Sequence, residues 1–148
     1  MLEVIILAAG QGRRMQSSLP KVLHTLAGQP LVVHVLERAR KLGAQQIHVV
    51  VGHGAEAVEA TVSAGDVQCH LQAEQWGTGH AVQQAIDACQ ADSTVLVLFG
   101  DVPLIAEQTL REVISAAETG VAMLSANLDH PSGYGRVERA LQGEFIAV

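Results

Sequence analysis

The sequence LEVIILAAGQG occupies residues 2–12 and joins an apolar run to a glycine-rich segment. Residues 2–7 are rich in Ile, Val and Leu, which is typical of a strand buried on both faces of a parallel sheet. Residues 8–20, which include Gly10 and Gly12, predict a long loop directly after that strand. Loops of this length without secondary structure are usually functional. The stretch therefore predicts a buried strand that ends in a binding loop.

Strands and helices are expected to alternate along the rest of the chain. Apolar periodicity predicts helices at 30–42, 55–64, 77–89 and 106–118. Short apolar runs predict strands at 46–51, 67–72, 94–99 and 121–128, and two more at 135–139 and 144–148 around a turn at 142–143. This alternation favours an α/β fold with a mostly parallel sheet and helices on both faces. Ligands of such sheets bind beyond the carboxyl ends of the strands.

The composition limits the class of protein. The chain has 148 residues, a length typical of one domain, and its 49% hydrophobic and 16% charged residues exclude a disordered chain. No apolar run approaches the roughly 18 residues of a membrane span, and the first residues lack the basic segment of a signal peptide. We therefore expect a cytoplasmic protein without a membrane partner. Cys69 and Cys89 are too few for a disulfide framework and predict reduced, partly buried thiols.

The charge distribution indicates the kind of ligand. The net charge is −6, which argues against general nucleic-acid binding. Basic residues are nevertheless concentrated within residues 1–21, where Arg13, Arg14 and Lys21 are accompanied by Glu3 alone among the acids. A local basic cluster on an acidic domain favours a small polyanion over a long one.

The glycine-rich segment can bring backbone N–H groups close to a phosphate. Arg14 and Lys21 would then balance the phosphate charge. The segment is not a dinucleotide-binding fingerprint, because Met15 stands where the third glycine belongs. Nor is it a Walker A loop, because no Gly-Lys-Ser/Thr follows. An ordinary glycine-rich turn with solvated arginines is equally compatible with the pattern.

Polar residues follow two other predicted strands. Gly100-Asp101 comes directly after the strand at 94–99, and a carboxylate there suits Mg²⁺, which takes few protein ligands besides substrate phosphates. An Asp that starts a turn before Pro103 explains the residue equally well. Gln72 and Gln75 can recognise a base edge through hydrogen bonds, or they can stay solvated in their loop.

Other catalytic patterns are missing from the sequence. The seven histidines form no His-x-x-x-His or Cys/His cluster, so their spacing favours structural roles over a metal site. No Gly-x-Ser-x-Gly motif occurs, which argues against a serine hydrolase.

Several segments together resemble a known enzyme family. LAAGQGRRM at 7–15, followed by LPK at 19–21, is similar to the signature of sugar-phosphate nucleotidyltransferases. The resemblance is narrowed by KVLH at 21–24, QAEQ at 72–75, GTGHA at 77–81, GDVPL at 100–104 and GYGR at 133–136. In combination these segments resemble the uridylyltransferase domain of the bacterial bifunctional N-acetylglucosamine-1-phosphate uridylyltransferase / glucosamine-1-phosphate acetyltransferase family. The resemblance covers nearly the whole chain and implies a Rossmann-like nucleotidyltransferase fold.

The resemblance implies nucleotide-binding roles for three groups of residues. Contacts to the uridine nucleotide are implied for Leu7, Ala8, Ala9 and Gly10. Recognition of uracil is implied for Gln72, Gly77 and Thr78. Arg14 and Lys21 would bind the phosphates and act in catalysis, with Arg14 stabilising the transition state.

The resemblance also implies a sugar side and a metal ligand. Phe99, Gly100 and Asp101 would lie near the ribose and the sugar, and Asp101 would bind Mg²⁺, the implied cofactor. Gly135 would contact N-acetylglucosamine. Phe99 departs from the Tyr expected at this position and removes a hydroxyl group near the sugar.

The implied partners are UTP and N-acetylglucosamine 1-phosphate, which react by Mg²⁺-dependent in-line attack to give UDP-N-acetylglucosamine and pyrophosphate. In the family this domain continues past the equivalent of Val148, and a separate β-helix carries acetyl transfer and the contacts of a homotrimer. We therefore expect residues 1–148 to be a C-terminally incomplete nucleotide-binding part that is weakly active or inactive alone. Two alternatives are another sugar-1-phosphate nucleotidyltransferase and a short paralogue that binds a nucleotide without turnover.

Overall fold

The computed structural model describes residues 1–12, 15–118, 120–141 and 145–147. Along the chain its strands and helices are β1 (Leu2–Leu7), a 3-10 helix (Lys21–Leu23), β2 (Thr25–Leu26), β3 (Gln29–Pro30), α1 (Leu31–Lys41), β4 (Gln46–Val51), α2 (Ala55–Val62), β5 (Val67–Leu71), α3 (Thr78–Ile86), β6 (Thr94–Phe99), α4 (Glu107–Ala116), β7 (Glu138–Arg139) and β8 (Phe145–Ala147). The predicted alternation of strands and helices is thus confirmed up to α4.

Four strands form one parallel sheet in the order β5-β4-β1-β6. The apolar run of β1 lies in the middle, where Ile5 is paired with His48 of β4 on one side and with Val97 of β6 on the other. Because all four strands run the same way, their carboxyl ends meet at one edge. Two short antiparallel pairs, β2-β3 and β7-β8, lie outside this sheet.

Helices cover both faces of the sheet, as the sequence predicts. On one face α1, α2 and α4 pack on Val4 and Ile6 of β1 and on alternate residues of β4 and β6. On the other face Ala81 and Ala85 of α3 pack on Ile5 and Val50. A fully buried Val or Ile contributes about 1.5–3 kcal/mol, so the alternation of faces along β1 and β4 anchors both helix layers to the same strands.

The strand predicted at 121–128 is wrong. No strand is formed there, and the side chains of Val121 and Leu124 are 96% and 53% exposed. Residues 120–124 instead line a cavity of about 480 Å³ together with β6 and α4. Apolar alternation gives only a local preference, and a strand also needs a hydrogen-bonded neighbour. No described strand provides one for this segment.

Other predicted boundaries shift by a few residues. The third helix ends at Ile86 rather than near 89. The pair predicted at 135–139 and 144–148 is present as the shorter β7 and β8, and its predicted turn at 142–143 lies outside the described residues. Cys69 and Cys89 are free and partly buried, as expected. Among the helices within the described ranges, none is long and apolar enough to cross a membrane.

Candidate active site

A cleft of about 380 Å³ opens at the carboxyl edge of the sheet. The loops after β1, β5 and β6 meet there because the three strands are parallel members of one sheet. Most residues predicted for the site line it: Leu7, Ala9, Gly10, Lys21, Gln72, Gly77, Thr78, Phe99 and Asp101. The position expected for a ligand of such a sheet is therefore the position where these residues converge.

The loop after β1 is held close to the sheet. The Ala8 N–H donates to the carbonyl oxygen of Val50 at 2.8 Å, and Ala8 itself is buried beneath the cleft. Gly12 has φ +61°, and a Cβ atom on it would lie 2.7 Å from Cβ of Lys21. Only glycine fits this conformation and this close approach. The backbone of the loop and the stem of Lys21 are thereby brought together.

Lys21 and Asp101 form an ion pair at the mouth of the cleft. Lys21 begins the 3-10 helix, and Asp101 lies two residues after the end of β6. Their side chains are 41% and 25% exposed, so water screens the pair and each partner can exchange the other for a ligand at small cost. Asp101 is the one carboxylate among the described residues that line the cleft.

A second side of the cleft carries amide groups. Gln72 is buried, and its Nε2 donates to the carbonyl oxygen of Gly77 at 3.2 Å and lies 3.0 Å from Nδ1 of His80. The Nε2 of Gln75 donates to the carbonyl oxygen of Ala9 at 2.8 Å, which ties the loop after β5 to the loop after β1. With both nitrogens engaged, the amide oxygens are the groups offered to a ligand.

The amino terminus of α3 also faces this side. Gly77 precedes the helix with φ 111° and ψ −178°, a conformation almost restricted to glycine. No side chain caps the helix, so its first backbone N–H groups remain available as donors. Thr78, the first residue of the helix, lines the cleft. The arrangement offers both donors and acceptors to the edge of a planar base.

Some predicted site residues are placed elsewhere. Gly100 is buried under the cleft, where its N–H donates to the carbonyl oxygen of Leu7 at 2.9 Å. Gly135 is exposed and does not line the cleft. Arg14, predicted to bind phosphate, lies outside the described residues. Of the predicted site residues, Gly135 is therefore the described one that is exposed and not part of the cleft lining.

Three lining residues were not among the candidate site residues. They are Gly12, Val22 and Ala81. Gly12 lies inside the glycine-rich segment that the sequence singles out, and Gln75, a candidate for recognising a base edge, does line the cleft. Val22 and Ala81 add apolar surface that only the packing of their helices discloses.

Known proteins support this picture. The MobA-like NTP transferase domain matches residues 4–141. Two curated relatives, each called bifunctional protein GlmU, match the chain. That of Chromohalobacter salexigens is 54% identical over 99% of this chain and 32% of its own length, and that of Cellvibrio japonicus is 49% identical over 100% and 33%. The chain thus spans about a third of the length of these relatives.

Solved structures share the fold. A nucleotidyl transferase from Methanothermobacter thermautotroptrophicus matches with a TM-score of 0.70 and 25% identity, over 78% of this chain and 57% of that one. The Rv0371c complex with manganese from Mycobacterium tuberculosis matches with a TM-score of 0.62 and 24% identity, over 78% and 59%. These matches confirm the Rossmann-like nucleotidyltransferase fold. With a match over nearly its full length, the chain belongs to the MobA-like NTP transferase family.

Proposed function

We propose that this chain serves the transfer of a uridylyl group from UTP to N-acetylglucosamine 1-phosphate, giving UDP-N-acetylglucosamine and pyrophosphate. The observation that carries the proposal is the convergence of three elements in one cleft. They are the glycine-rich loop, the Lys21–Asp101 pair and the amide-lined side at Gln72 and Gly77. Nucleotidyl transfer needs each of them: a phosphate cradle, mobile opposite charges and a surface that recognises a base.

The amide-lined side suits uracil. With the Gln72 nitrogen engaged by Gly77 and His80, its amide oxygen is left to accept the N3–H of uracil. The backbone N–H groups at the amino terminus of α3 can donate to a carbonyl oxygen of the base. Cytosine has no hydrogen at N3, so it would place two acceptors against each other. A buried polar group left unpaired costs about 1–3 kcal/mol, which favours UTP over CTP.

Asp101 fits a role as ligand of a divalent cation. Mg²⁺ is usually bound by one or two carboxylates and completes its shell with water and substrate phosphates. A single partly exposed carboxylate at the mouth of an open cleft suits that mode. When bound, the cation would offset the negative charge of the triphosphate. Lys21 would then leave Asp101 and contact the phosphates directly.

The residues of the chain act by position and charge. The loop after β1 aligns the α-phosphorus for in-line attack by the sugar phosphate oxygen, and pyrophosphate leaves on the opposite side. Lys21, together with Arg14, stabilises the charge that accumulates in the transition state. No residue forms a covalent intermediate, because positioning and electrostatic stabilisation suffice for this chemistry.

We further propose that residues 1–148 form the nucleotide-binding part of a uridylyltransferase domain and turn over weakly by themselves. Gly135, the residue expected at the sugar, does not line the cleft. In this proposal, acetyl transfer and the contacts of a homotrimer belong to other parts of a longer protein.

Calorimetric titration with UTP and with CTP, each with and without Mg²⁺, tests the proposal. We expect UTP to bind more tightly, to require Mg²⁺, and to lose its advantage over CTP in Gln72→Leu. Equal binding of both nucleotides would favour another nucleotidyltransferase. UTP binding without any pyrophosphate release in the presence of N-acetylglucosamine 1-phosphate would favour a non-catalytic paralogue. A folded chain that binds neither nucleotide would contradict the proposed site.

A further inference from the structure

A second polar cluster lies at the amino-terminal end of the sheet, away from the cleft. Glu3 of β1 and His48 of β4 are among the most deeply buried residues, with 2% and 0% of the whole-residue surface exposed. Nε2 of His48 lies 3.0 Å from Oε2 of Glu3. Buried charged groups are either paired with each other or coordinate a metal ion. The pair is therefore a candidate for either arrangement.

Cys89 completes a set of three different donors. It lies in the turn after α3, is half-buried, and its Sγ belongs to a group in which all ligand atoms of Glu3, His48 and Cys89 lie within 4.8 Å of one another. In a tetrahedral zinc site with bonds of roughly 2.0–2.3 Å, ligand atoms are about 3.5 Å apart. The 4.8 Å limit on the separations in this group is about 1.3 Å longer than that spacing.

Two hydrogen bonds already orient the inner donors. Nδ1 of His48 lies 3.0 Å from Nε2 of His70. When a metal ion replaces the proton shared between Nε2 of His48 and Glu3, an Nδ1–H donated to His70 would hold the imidazole ring in place. The Gln90 N–H donates to Oε1 of Glu3 at 2.9 Å, which leaves Oε2 on the side of His48. Metal-binding histidines and carboxylates are usually held by such outer hydrogen bonds.

A polar cavity borders two members of the cluster, Glu3 and His48. It has a volume of about 220 Å³ and is lined by Glu3 and His48 together with Gln46, Gln68 and Gln90. Such a cavity has room for a water molecule, which needs polar partners of this kind. Three protein ligands with an open fourth position are typical of zinc sites that keep a bound water.

We propose that Glu3, His48 and Cys89 form a binding site for Zn²⁺ that is separate from the cleft. The mixture of carboxylate oxygen, imidazole nitrogen and thiolate sulfur suits a borderline-soft ion, whereas Mg²⁺ prefers oxygen ligands alone. Coordination releases the thiol proton of Cys89 to solvent, so zinc binding weakens as the pH falls.

The site is remote from the nucleotide side but is linked to it by one helix. Glu3 and Leu7 are four residues apart on β1, or about 13 Å at the rise of a strand. Helix α3 begins at Thr78 in the cleft, and Cys89 lies just after its end. A bound ion would fix the end of α3 to β1 and β4. This role does not depend on which nucleotide the cleft binds.

Cobalt titration of the metal-free protein tests the proposal directly. A thiolate bound to Co²⁺ gives a charge-transfer absorption that histidines and carboxylates alone do not produce. Because Met1 lines the cavity, any affinity tag is placed at the carboxyl terminus. We expect one saturable absorption band in the wild type that Zn²⁺ abolishes by displacement.

Matched variants identify the ligands. Cys69→Ser, which removes the other free cysteine, and Asp101→Asn, which removes the carboxylate of the cleft, should keep the band. Cys89→Ser should lose it. His70→Gln should bind Zn²⁺ about 10–100-fold more weakly, as expected for the loss of an outer hydrogen-bond partner. Loss of the direct ligand Cys89 should weaken Zn²⁺ binding more than loss of His70, which acts through His48.

A second measurement needs no variant at all. Zn²⁺ should slow the alkylation of Cys89 in the wild type and leave that of Cys69 unchanged, as followed by mass spectrometry. Unchanged alkylation of Cys89 at saturating Zn²⁺ would overturn the proposal. So would a cobalt band that survives in Cys89→Ser, or a folded wild type that gives no band.

Discussion

The two ends of the sheet hold acid–base pairs of opposite character. At the carboxyl edge, Lys21 and Asp101 are paired with 41% and 25% of their side chains exposed. At the amino edge, His48 and Glu3 are paired with 1% and 2% exposed. Screening by water makes an exposed pair weak. Removal of one partner of a buried pair is costly, because the other partner's charge stays buried without an opposite charge beside it.

This difference separates a site that exchanges partners from one that keeps them. In the cleft, either charge can leave the other for a phosphate or a cation at little cost. In the buried cluster, a new ligand must replace the hydrogen bonds that it disrupts, and a metal ion is a ligand strong enough to do so. Exposure, more than the identity of the residues, decides which behaviour each pair shows.

The largest expected effect comes from removing each carboxylate in turn. Glu3→Ala leaves Nε2 of His48 and the Gln90 N–H without their partner in a buried place, and we expect it to lower the free energy of unfolding by about 2–5 kcal/mol. Asp101→Ala should lower it by less than about 1 kcal/mol. Urea denaturation measures the free energy of unfolding of both variants. Equal losses in the two would contradict the distinction between a buried and an exposed pair.

Loss of Lys21 should affect binding rather than stability. Lys21→Ala removes a charge-assisted contact to phosphate, which is worth about 1.5–3 kcal/mol, or roughly tenfold to a hundredfold in the affinity for UTP. The exposed pair contributes too little to change the free energy of unfolding by more than about 1 kcal/mol. Calorimetry and urea denaturation of the same variant separate the two effects. Unchanged UTP affinity would remove Lys21 from the proposed phosphate site.

Gly12 packs against the side-chain stem of Lys21, so adding a single methyl group at Gly12 should lower both stability and the affinity for UTP. Gly12→Ala forces a Cβ into a left-handed conformation and to 2.7 Å from Cβ of Lys21, so we expect a loss of about 1–2 kcal/mol of stability together with weaker UTP binding. Gly10→Ala is the matched control for stability, because a Cβ there meets nothing within 4 Å of the protein itself. A similar loss of stability in both variants would refute the steric explanation.

The sequence predicted the cleft because its signals are local. The apolar run of β1, the glycines after it and Asp101 after β6 can each be recognised from a few neighbouring residues in the sequence. The rule that parallel strands end at one edge then brought them together. Two predicted residues are not brought to the cleft: Gly135, expected at the sugar, does not line it, and Arg14, expected at the phosphates, lies outside the described residues.

The buried cluster could not be predicted in the same way. Glu3 and His48 are 45 positions apart, and Glu3 and Gln90 are 87 apart. Spacing along the chain, which led us to expect only structural histidines, detects ligands on one helix or turn and not ligands that separate strands bring together. The strand at 121–128 failed for a related reason, because pairing depends on a neighbour that local alternation does not disclose.

The smallest expected effect comes from an exposed ion pair at the amino-terminal end of the sheet, which tests whether burial or position makes a pair important for stability. Arg40 and Asp66 form a bidentate pair at 2.7 and 2.9 Å at the same end of the sheet as Glu3, but their side chains are 40% and 37% exposed. Hydrogen bonding by Arg40 holds the pKa of Asp66 below its usual value of 3.8. A carboxyl whose pKa is lowered by folding stabilises the protein above its unfolded pKa and loses that contribution as the pH falls through the folded pKa.

Asp66→Asn should therefore cost less than about 1 kcal/mol near pH 7, and its difference from the wild type should shrink below about pH 4. Urea denaturation between pH 7 and pH 3 measures both quantities, with Asp92→Asn, an exposed surface carboxylate, as the control. A cost close to that of Glu3→Ala would mean that position at the amino edge, and not burial, makes a pair there indispensable. A small cost that vanishes in acid would leave burial as the property that distinguishes Glu3 and His48 from the exposed pairs at both ends of the sheet.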